Sequence, residues 1–319
     1  MRTRFAHGQV SSTSEAEVAL VYMKLRLESI ARLVVVPWIA MLLGADTAPA
    51  DIRLISNQPR LDVVVVAHQD DWQLFMGDVV TQGLRSGNRG VFVYLTAGDD
   101  GRDSVYWQAR ERGALQSTRV AAAIPVADPI NCSMVQIHDH SIRKCTVGNT
   151  ESYFFRLPDG KRDGKGFARY GYRSLRKLRA KRSSEMGAVD GSAIYHGWTD
   201  LIATVGTLID RDSAGVTIHT SDPNIARNPH DHFDHRMTGL LVADLRTQRK
   251  LDAMYYLGYA LATRAVNRSA GQIQAKTALL LAYDREMMAA NKKWSAYGEH
   301  RAFYSECLQR TYVRSSPAR

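Results

Sequence analysis

Two short clusters of histidine and aspartate stand out in the sequence, because their side chains are of the types that bind metal ions. The first, HQDD at residues 68–71, directly follows the apolar run VVVVA at residues 63–67. The second, NPHDHFDHR at residues 228–236, contains His232 and His235. Imidazole and carboxylate are common zinc ligands, and a catalytic zinc uses three such ligands and leaves a fourth position for water. Together the clusters predict a metal site that holds a reactive water.

The spacing within each cluster supports the same prediction. His232 and His235 are about one helical turn apart, so both side chains can face one point. Asp70 and Asp71 are adjacent like charges, and a cation would relieve their repulsion, with one carboxylate on the metal and the other facing its water. Each cluster also has a simpler explanation when taken by itself. An aspartate pair usually caps a helix, and a group of histidines is often a solvated loop.

The predicted secondary structure brings both clusters to one edge of a sheet. Residues 63–67 and 90–96 are apolar runs typical of strands buried on both faces, and residues 71–85 between them are typical of a helix. Residues 215–220 (GVTIHT) predict another strand, which comes before the second cluster. In an open parallel sheet, ligands bind beyond the carboxyl ends of the strands. We therefore expect the two clusters, which are far apart in sequence, to meet in space.

The order of the elements predicts the fold class. Strands and helices alternate at the pace of βαβ units, which indicates a Rossmann-like three-layer α/β/α sandwich with a mostly parallel sheet. The further predicted elements are strands at residues 131–137 and 152–157 and helices at residues 104–123, 198–210, 235–247, 275–290 and 291–304. We expect the strand at 131–137 to be the third parallel strand. The last two helices are expected to cover the sheet as structural elements.

The composition is that of a globular chain, and the sequence does not support a disordered, dinucleotide-binding or nucleic-acid-binding protein. With 319 residues, 45% of them hydrophobic, the chain can bury a core. We predict a single domain at residues 51–319, behind an N-terminal extension at residues 1–50. No glycine pattern of the dinucleotide-binding type occurs. The net charge of +10 fits an anionic partner or simply a basic surface, and beyond this charge nothing supports nucleic-acid binding.

The N-terminal extension ends in a pattern typical of a secretory signal. From Met23 onward, a basic start is followed by an apolar run from Leu33 to Leu43 and by an A-x-A cleavage pattern at residues 48–50. The apolar run is shorter than the roughly 20 residues that a membrane-spanning helix needs. We predict an exported protein, periplasmic or secreted, without a stable membrane span after processing. The alternative is a buried or membrane-lying helix.

The three cysteines suit an oxidising compartment, in which one disulfide would leave one free thiol. Cys132 and Cys145 are close enough in sequence to pair across a hairpin-like connection. The sequence by itself does not show that they do.

The two clusters resemble the motifs of the LmbE-like, or PIG-L, family of zinc-dependent de-N-acetylases. Family members read A-H-P-D-D-E and H-P-D-H, and this chain reads AHQDDW at residues 67–72 and HFDH at residues 232–235. A weaker family feature, an aromatic-rich helix start followed by Arg-Glu, is present as YWQARE at residues 106–111. The resemblance covers about residues 61–245. It implies hydrolysis of an N-acetyl or N-acyl group, most often on an N-acetylglucosamine-type conjugate.

The resemblance also implies a role for each residue of the motifs. His68, Asp71 and His235 would bind Zn²⁺, and Fe²⁺ or another divalent ion could use the same ligands. Asp70 would be the general base that takes a proton from the water. His232 would either steady the oxyanion or protonate the leaving amine.

Further roles are implied around these residues. Asp234 would orient a histidine from behind the metal, and Arg110 would hold a sugar hydroxyl of the substrate. The chain departs from the family pattern at two positions, where Gln69 replaces proline and Trp72 replaces glutamate. Trp72 is assigned to substrate binding, where it could stack on a sugar ring. Its alternative is to pack as part of the helix core.

The substrate is the open part of this interpretation. We expect a small molecule or a glycan, and an anionic one would suit the net charge. The alternatives are an amidase or esterase of the same family with a non-sugar substrate, and a non-catalytic binder of glycans or anionic polymers. The basic stretch at residues 161–182, with its interleaved aromatics, could be an insertion that recruits an anionic substrate. A mobile solvated loop is the favoured interpretation of that stretch.

Overall fold

The valine run lies in the central part of an eight-stranded sheet. The computed structural model describes residues 59–209 and 215–317, and these belong to one compact unit. Its strands are, in chain order, β1 (Leu61–Val66), β2 (Arg89–Thr96), β3 (Asn131–Ile137), β4 (His140–Val147), β5 (Thr150–Leu157), β6 (Met186–Gly187), β7 (Ile194–Tyr195), β8 (Val216–Ser221), β9 (Asp252–Tyr256) and β10 (Val313–Ser316).

The sheet is parallel in its centre and antiparallel at its edges. The strands lie in the order β10-β9-β8-β1-β2-β5-β4-β3, while β6 and β7 form a separate pair. The strands from β9 to β5 are parallel, whereas β10, β4 and β3 pair antiparallel. The chain continues from β1 to β2 on one side and returns to β8 on the other. Such a reversal of strand order leaves a crevice at the carboxyl ends, where α/β proteins bind ligands.

The helices are, in chain order, α1 (Asp71–Phe75), α2 (Gly77–Arg85), α3 (Ser104–Ala121), α4 (Leu175–Arg179), α5 (Gly197–Ile209), α6 (Phe233–Gln248), α7 (Ala270–Ala290), α8 (Ala296–Glu299) and α9 (Arg301–Leu308). Short 3₁₀ turns lie at Ala168–Tyr170, Tyr259–Thr263 and Lys292–Trp294.

The four consecutive valines are explained by burial on both faces of the sheet. Val63 and Val65 pack in a core with residues of α5 and α6, whereas Val64 and Val66 pack in a second core with residues of α2, α3 and α7. Side chains alternate along a strand, so each valine removes its surface from water, worth roughly 1.5–3 kcal/mol per side chain. One core lies between the sheet and each layer of helices, so the molecule has the three layers of the α/β/α sandwich that the sequence predicts.

The strand at residues 131–137 forms, but the expectation that it is a third parallel strand is wrong. It is the outermost strand of the sheet and pairs antiparallel with β4. His138 and Asp139, which connect the two strands, both have positive φ (46° and 66°), and such a tight turn reverses the chain without a crossover helix. The hairpin places Cys132 opposite Cys145, and the two form a disulfide. The third parallel strand is β5.

The predicted helix at residues 71–85 is interrupted at Met76, whose φ of −144° is not helical. The next residue, Gly77, lies close to α7, since a Cβ there would be 2.9 Å from Leu279 Cδ1. The break separates α1, which carries the first cluster, from α2. The predicted helix at residues 291–304 is likewise divided, into a 3₁₀ turn, α8 and the start of α9.

No helix in the described part of the chain is both long and apolar enough to cross a membrane. The predicted signal sequence within residues 1–50 lies outside the described residues, so export stays a prediction.

Candidate metal centre

The loops at the carboxyl ends of parallel strands bring the two clusters together. His68 comes shortly after β1, and the HFDH motif of residues 232–235 lies between β8 and the first turn of α6. The ring of His68 is 4.6 Å from the ring of His232 and 5.1 Å from that of His235, between centroids. Asp159, which follows β5, joins them. All four residues are buried.

Three side-chain atoms form a triangle with the dimensions of a zinc site. The Nδ1 of His68 lies 3.1 Å from Nε2 of His235 and 3.4 Å from Oδ1 of Asp71. The Nε2 of His235 lies 3.0 Å from the same oxygen. A tetrahedral zinc ion with bonds of about 2.0–2.1 Å sets its ligand atoms about 3.3 Å apart. His68, Asp71 and His235, here called the metal triad, therefore fit such an ion, and they are the residues that the sequence assigns to it.

His235 is held by a carboxylate that the sequence analysis did not single out. Its Nδ1 lies 2.9 Å from Oδ1 of Asp231, and an N–H donated there leaves Nε2 free to bind a cation. Asp231 also accepts hydrogen bonds from the amide of Asn228 at 2.6 Å and from the backbone N–H of Tyr259 at 3.0 Å. Asp231 precedes His235 by one helical turn, and this spacing could have revealed it.

The second ring nitrogen of His68 faces two buried carboxylates. Its Nε2 lies 3.5 Å from Asp159 Oδ2 and 3.7 Å from Asp234 Oδ2, and it makes no hydrogen bond within the described residues. Asp234 is fixed by the N–H of Gly160, which donates to its Oδ2 at 2.7 Å. Asp234 thus lies behind a triad histidine, where the sequence analysis expects it, although without a direct hydrogen bond to that ring.

Two other sets of potential ligand atoms overlap with the metal triad, each with its atoms within 4.8 Å of one another. One comprises His68, His232 and His235, and the other comprises His68, Asp159, His232 and Asp234. In the four-residue set, the histidines and carboxylates are 3.5–3.9 Å apart, longer than the edge of a zinc tetrahedron. The metal triad is therefore a better fit than the four-residue set.

The buried carboxylates favour positive charge at the metal triad. Burial lowers the pKa of His235, but the charges of Asp71 and Asp231 outweigh it and raise the pKa to about 10. Burial raises the pKa of Asp71, yet the neighbouring His235 and His68 bring it well below its ordinary value. A divalent cation would supply the positive charge that this arrangement favours.

His232 differs from the triad histidines in charge and in contacts. Burial, with the charge of His68 beside it, lowers the pKa of His232 to about 3, so its ring is neutral at neutral pH. Its Nδ1 accepts a hydrogen bond from the backbone N–H of Asp234 at 3.2 Å, as the N-cap of α6. The proton of the neutral ring is therefore on Nε2, and this nitrogen can donate to a bound ligand.

Asp70 is held by residues from two distant parts of the chain. Arg110 of α3 forms an ion pair with Oδ1 of Asp70, and the hydroxyl of Tyr304 of α9 donates to Oδ2 at 3.2 Å. Arg110 also donates to the carbonyl of Gly98 at 3.0 Å, which fixes its guanidinium. The contact of Arg110 with a substrate hydroxyl stays a prediction. In the structure, Arg110 positions the residue that the sequence assigns as the base.

One cavity of about 430 Å³, a volume in the range of small-ligand sites, is lined by His68, Asp70, Asp71, Asp159 and His232. Aromatic side chains line much of it, namely Phe75, Tyr106, Phe167, Tyr259, Tyr283, Trp294 and Tyr304. Arg102, Lys161 and Arg162 also line it, and each lies over one of these rings, at 4.4–5.8 Å from the ring centre. The cavity therefore combines potential metal ligands with flat apolar surfaces and cations.

The expectation that Trp72 stacks on a substrate sugar is wrong. Trp72 is 0% exposed and does not line the cavity. Its ring packs against Phe92, and its Nε1 donates to the hydroxyl of Tyr94 at 3.1 Å. Trp72 lies on the side of α1 that faces the sheet, so the alternative, packing in the core, is the correct one.

The C-terminal helices do more than cover the sheet. Tyr283 of α7, Trp294 and His300 beside α8, and Tyr304 of α9 all line the cavity. The sequence does not indicate these residues, because aromatic residues on a helix form no motif and are more often part of a core than of a site.

Comparison with known proteins gives the family of the chain. A family model described as PIG-L: GlcNAc-PI de-N-acetylase matches residues 63–245, whereas a search of curated proteins gave no match. Similar solved structures include N,N'-diacetylchitobiose deacetylase from Pyrococcus horikoshii, at 13% identity over 98% of this chain and 95% of that chain, with a TM-score of 0.47.

Two further solved structures show the range of proteins with which the chain shares similarity. The zinc-inhibited form of teicoplanin deacetylase is 11% identical over 80% of this chain and 96% of that chain, with a TM-score of 0.43. The 4-carboxy-2-hydroxymuconate hydratase from Pseudomonas putida KT2440 is 11% identical over 82% and 97%, with a TM-score of 0.40. At such values these likenesses do not bear on substrate or mechanism. The family model, by contrast, spans more than half of the chain and both motifs, so the chain belongs to the PIG-L family of GlcNAc-PI de-N-acetylases.

Proposed function

We propose that the protein is a metal-dependent hydrolase that removes an N-acetyl group from an amino sugar of the N-acetylglucosamine type. Membership of a de-N-acetylase family supports the reaction class. The observation that carries the proposal is the metal triad, with its ligand atoms 3.0–3.4 Å apart. Beside it lies a further carboxylate, Asp70, which is not a triad ligand and which Arg110 and Tyr304 hold in place. Zinc is the proposed metal, and Fe²⁺ suits the same ligands.

The side chains around the triad can complete the hydrolysis of an amide. A zinc ion bound there would acidify a water molecule and polarise the amide carbonyl. Arg110 and Tyr304 hold Asp70 in place. Asp70 takes a proton from the water while the oxygen of that water bonds to the carbonyl carbon. The C–N bond then breaks, and the proton that Asp70 took from the water passes to the nitrogen. Acetate and a free amine leave.

We assign to His232 the role of stabilising the oxyanion that forms during attack. Its neutral ring carries the proton on Nε2, because Nδ1 is occupied by the N–H of Asp234. A fixed N–H donor stabilises the carbonyl oxygen more strongly as that oxygen becomes negative during attack. This supports the first of the two roles that the sequence analysis left open for His232.

A non-catalytic binder on the same fold is less well supported. It would need neither the base nor its two fixed partners, and all of them are present. A hydrolase acting on a non-sugar amide, or on an ester, is the nearer alternative.

The test is acetate release from N-acetylglucosamine conjugates by purified protein, with its metal content determined alongside. We expect Asp70→Asn to lower kcat by about 10²–10⁴-fold, because the general base is lost. The variant should retain its metal, since Asp70 is outside the triad. Asp128→Asn, an exposed carboxylate in the loop after α3, is the matched control and should keep full activity.

The other outcomes are also informative. Bound metal without acetate release from any sugar conjugate would move the proposal to another amide or an ester. A protein that binds no divalent metal would overturn it.

A further inference from the structure

Two hollows adjoin the catalytic cavity on the side of the basic segment at residues 161–182. Lys161 and Arg162 line both the cavity and the first hollow. Arg176 lines the first hollow and also the second, to which Lys177 and Arg182 belong. Lys165 lines the second hollow as well. The two hollows, here called the basic groove, therefore continue the cavity along a surface with six cations.

The basic groove is fixed to the catalytic motif by hydrogen bonds. The N–H of Phe233, within the HFDH motif, donates to the carbonyl of Arg162 at 3.2 Å. The guanidinium of Arg162 donates to the carbonyl of His230 at 3.2 Å. Further along, the hydroxyl of Ser174 donates to the carbonyl of Gly164 at 2.7 Å. The segment is thus part of the wall of the site, and the favoured interpretation as a solvated loop does not describe it.

Five of the six groove cations have no carboxylate partner, namely Lys161, Arg162, Arg176, Lys177 and Arg182. The sixth, Lys165, pairs with Asp163, and the other ion pairs of the segment join Arg173 to Glu185 and Arg179 to Asp244. Within the residues that the structure describes, no carboxylate oxygen lies within 4.0 Å of a side-chain nitrogen of those five cations. Their charge is therefore available to an anionic ligand.

Two carboxylates do line the first hollow, and both are already engaged. Asp163 pairs with Lys165 at 3.2 Å. Asp231 accepts from Asn228 and contacts His235. Neither cancels the charge of the groove.

The arrangement of the cations favours an extended ligand over a single small anion. Arg162 and Arg176 lie over the rings of Tyr259 and Phe233, and Lys177 lies near the ring of Tyr172, so the charges are spread along the surface and do not converge on one point. Flat aromatic faces between cations suit a chain of sugar rings that carries acidic groups at intervals. A nucleic acid would match the charge but offers no N-acetyl group to the cavity.

We propose that the substrate is an acidic polysaccharide, in which N-acetylated amino sugars alternate with sugars that carry carboxylate or sulfate. One N-acetylated residue enters the cavity, and the acidic residues beside it lie along the basic groove. This inference rests on the proposed function and deepens it, because it names the chemical class of the substrate.

The test compares two hexasaccharides that both contain N-acetylglucosamine. One is from hyaluronan, in which that sugar alternates with glucuronate, and the other is neutral N-acetylchitohexaose. At about 0.02 M salt we expect kcat/KM for the acidic chain to exceed that for the neutral chain by about tenfold. At about 0.5 M salt, screening should remove the difference.

Charge reversal locates the effect in the molecule. Arg176→Glu combined with Arg182→Glu changes two groove cations away from the catalytic cavity, and should abolish the preference for the acidic chain. Lys250→Glu combined with Arg264→Glu reverses two exposed cations outside the groove and should leave the preference intact. Circular dichroism and thermal unfolding would establish that each variant is folded.

The outcomes separate this inference from the proposed function. Equal kcat/KM for both chains at low salt, or a preference that survives reversal of the groove cations, would overturn the inference while deacetylation stands. If neither chain is deacetylated although another N-acetylglucosamine conjugate is, the inference is overturned and the proposed function stands. If no conjugate is deacetylated, both fail. Absence of salt-sensitive binding of the hyaluronan hexasaccharide would overturn the inference as well. Tighter binding of single-stranded DNA of equal charge would also overturn it.

Discussion

The two histidines of the HFDH motif have different hydrogen-bond partners, and this difference supports the different roles proposed for them. The Nδ1 of His235 faces the carboxylate of Asp231, which leaves Nε2 as a ligand atom in the metal triad. The Nδ1 of His232 instead accepts a backbone N–H, which leaves an N–H on Nε2. A partner at one ring nitrogen thus sets the chemistry of the other. Sequence spacing alone cannot distinguish a metal ligand from a hydrogen-bond donor in such a motif.

Replacing Asp231 tests whether the carboxylate beside His235 strengthens metal binding. We expect Asp231→Asn to weaken metal binding by about 10–100-fold, because an amide orients the His235 ring without the charge that makes its Nε2 a better ligand. The dissociation constant is measured by competition with a chelator. Asp71→Asn, which removes a ligand outright, is the reference and should weaken binding further. An unchanged dissociation constant for Asp231→Asn would contradict the assigned role.

The sequence predicted the site residues whose types carry chemistry, and missed those that only position them. His68, Asp71 and His235 were assigned as ligands through the resemblance of the two motifs to those of a known family. Asp231 was missed although it lies within the same cluster, since nothing in the sequence shows which acid faces which ring. Tyr304 was missed because only the folded chain brings it to Asp70.

At the scale of elements, the hairpin of β3 and β4 shows how a short apolar pattern can mislead. Residues 131–137 have the length of a strand, but five of the seven are exposed, as suits an edge strand and not a buried central one. The continuous apolar runs of β1 and β2 were predicted well, because burial on both faces leaves a clear pattern. The hairpin turn has no Asn-Gly or similar signal, so β4 was not predicted.

The disulfide that joins β3 and β4 is expected to stabilise the folded protein. Cys132→Ser, at the exposed end of the bond, should lower the free energy of unfolding by about 3 kcal/mol, because the open loop gains entropy in the unfolded state. Chemical denaturation followed by circular dichroism measures the change, with Ser133→Ala as control. A reducing agent should reproduce the loss in the unmodified protein. Equal stability of the reduced and oxidised protein would contradict this expectation.

At the scale of the whole molecule, a buried lysine fastens the end of the chain to the sandwich. Lys276 of α7 is 0% exposed, and its Nζ donates to the carbonyls of Cys307 and Arg310 at 2.9 and 2.5 Å. It also donates to the hydroxyl of Thr311 at 3.2 Å, which in turn donates to Asp78 of α2. The segment after α9 is thus held against α7 and α2, on the side of the molecule that carries Tyr304.

This lysine predicts a pH dependence of stability. Burial lowers the pKa of Lys276 to about 8, although the charge of Asp78 opposes it. In the unfolded chain its pKa is near 10.5, so between pH 8 and 10.5 the unfolded state binds more protons than the folded one. Stability from this group therefore rises with pH across that window, by up to about 3 kcal/mol.

The measurement compares the unmodified protein with Lys276→Met from pH 7 to 10.5. The difference in unfolding free energy between the two isolates this titration, because other groups titrate in both proteins. We expect it to shift in favour of the unmodified protein as pH rises. A difference that is flat or falls with pH would contradict the assignment.

The fold class followed from the alternation of strands and helices, and the parallel centre of the sheet confirms it. What the sequence could not give was the fate of the less regular parts. The basic segment lacks a hydrophobic period, and its place beside the HFDH motif depends on hydrogen bonds between residues far apart in sequence, such as Arg162 and His230. The role of the last helices in the cavity likewise arises from packing between distant parts of the chain.

The contact between Tyr304 and Asp70 joins residues 234 positions apart, and this affects when the site can form during synthesis of the chain. A ribosome releases the chain from its N-terminal end, so both motifs emerge well before α9. Until α9 has been made and has docked, Asp70 lacks the hydroxyl that holds it. Full positioning of the proposed base is thereby tied to the docking of α9, although the residue itself is made 234 positions earlier.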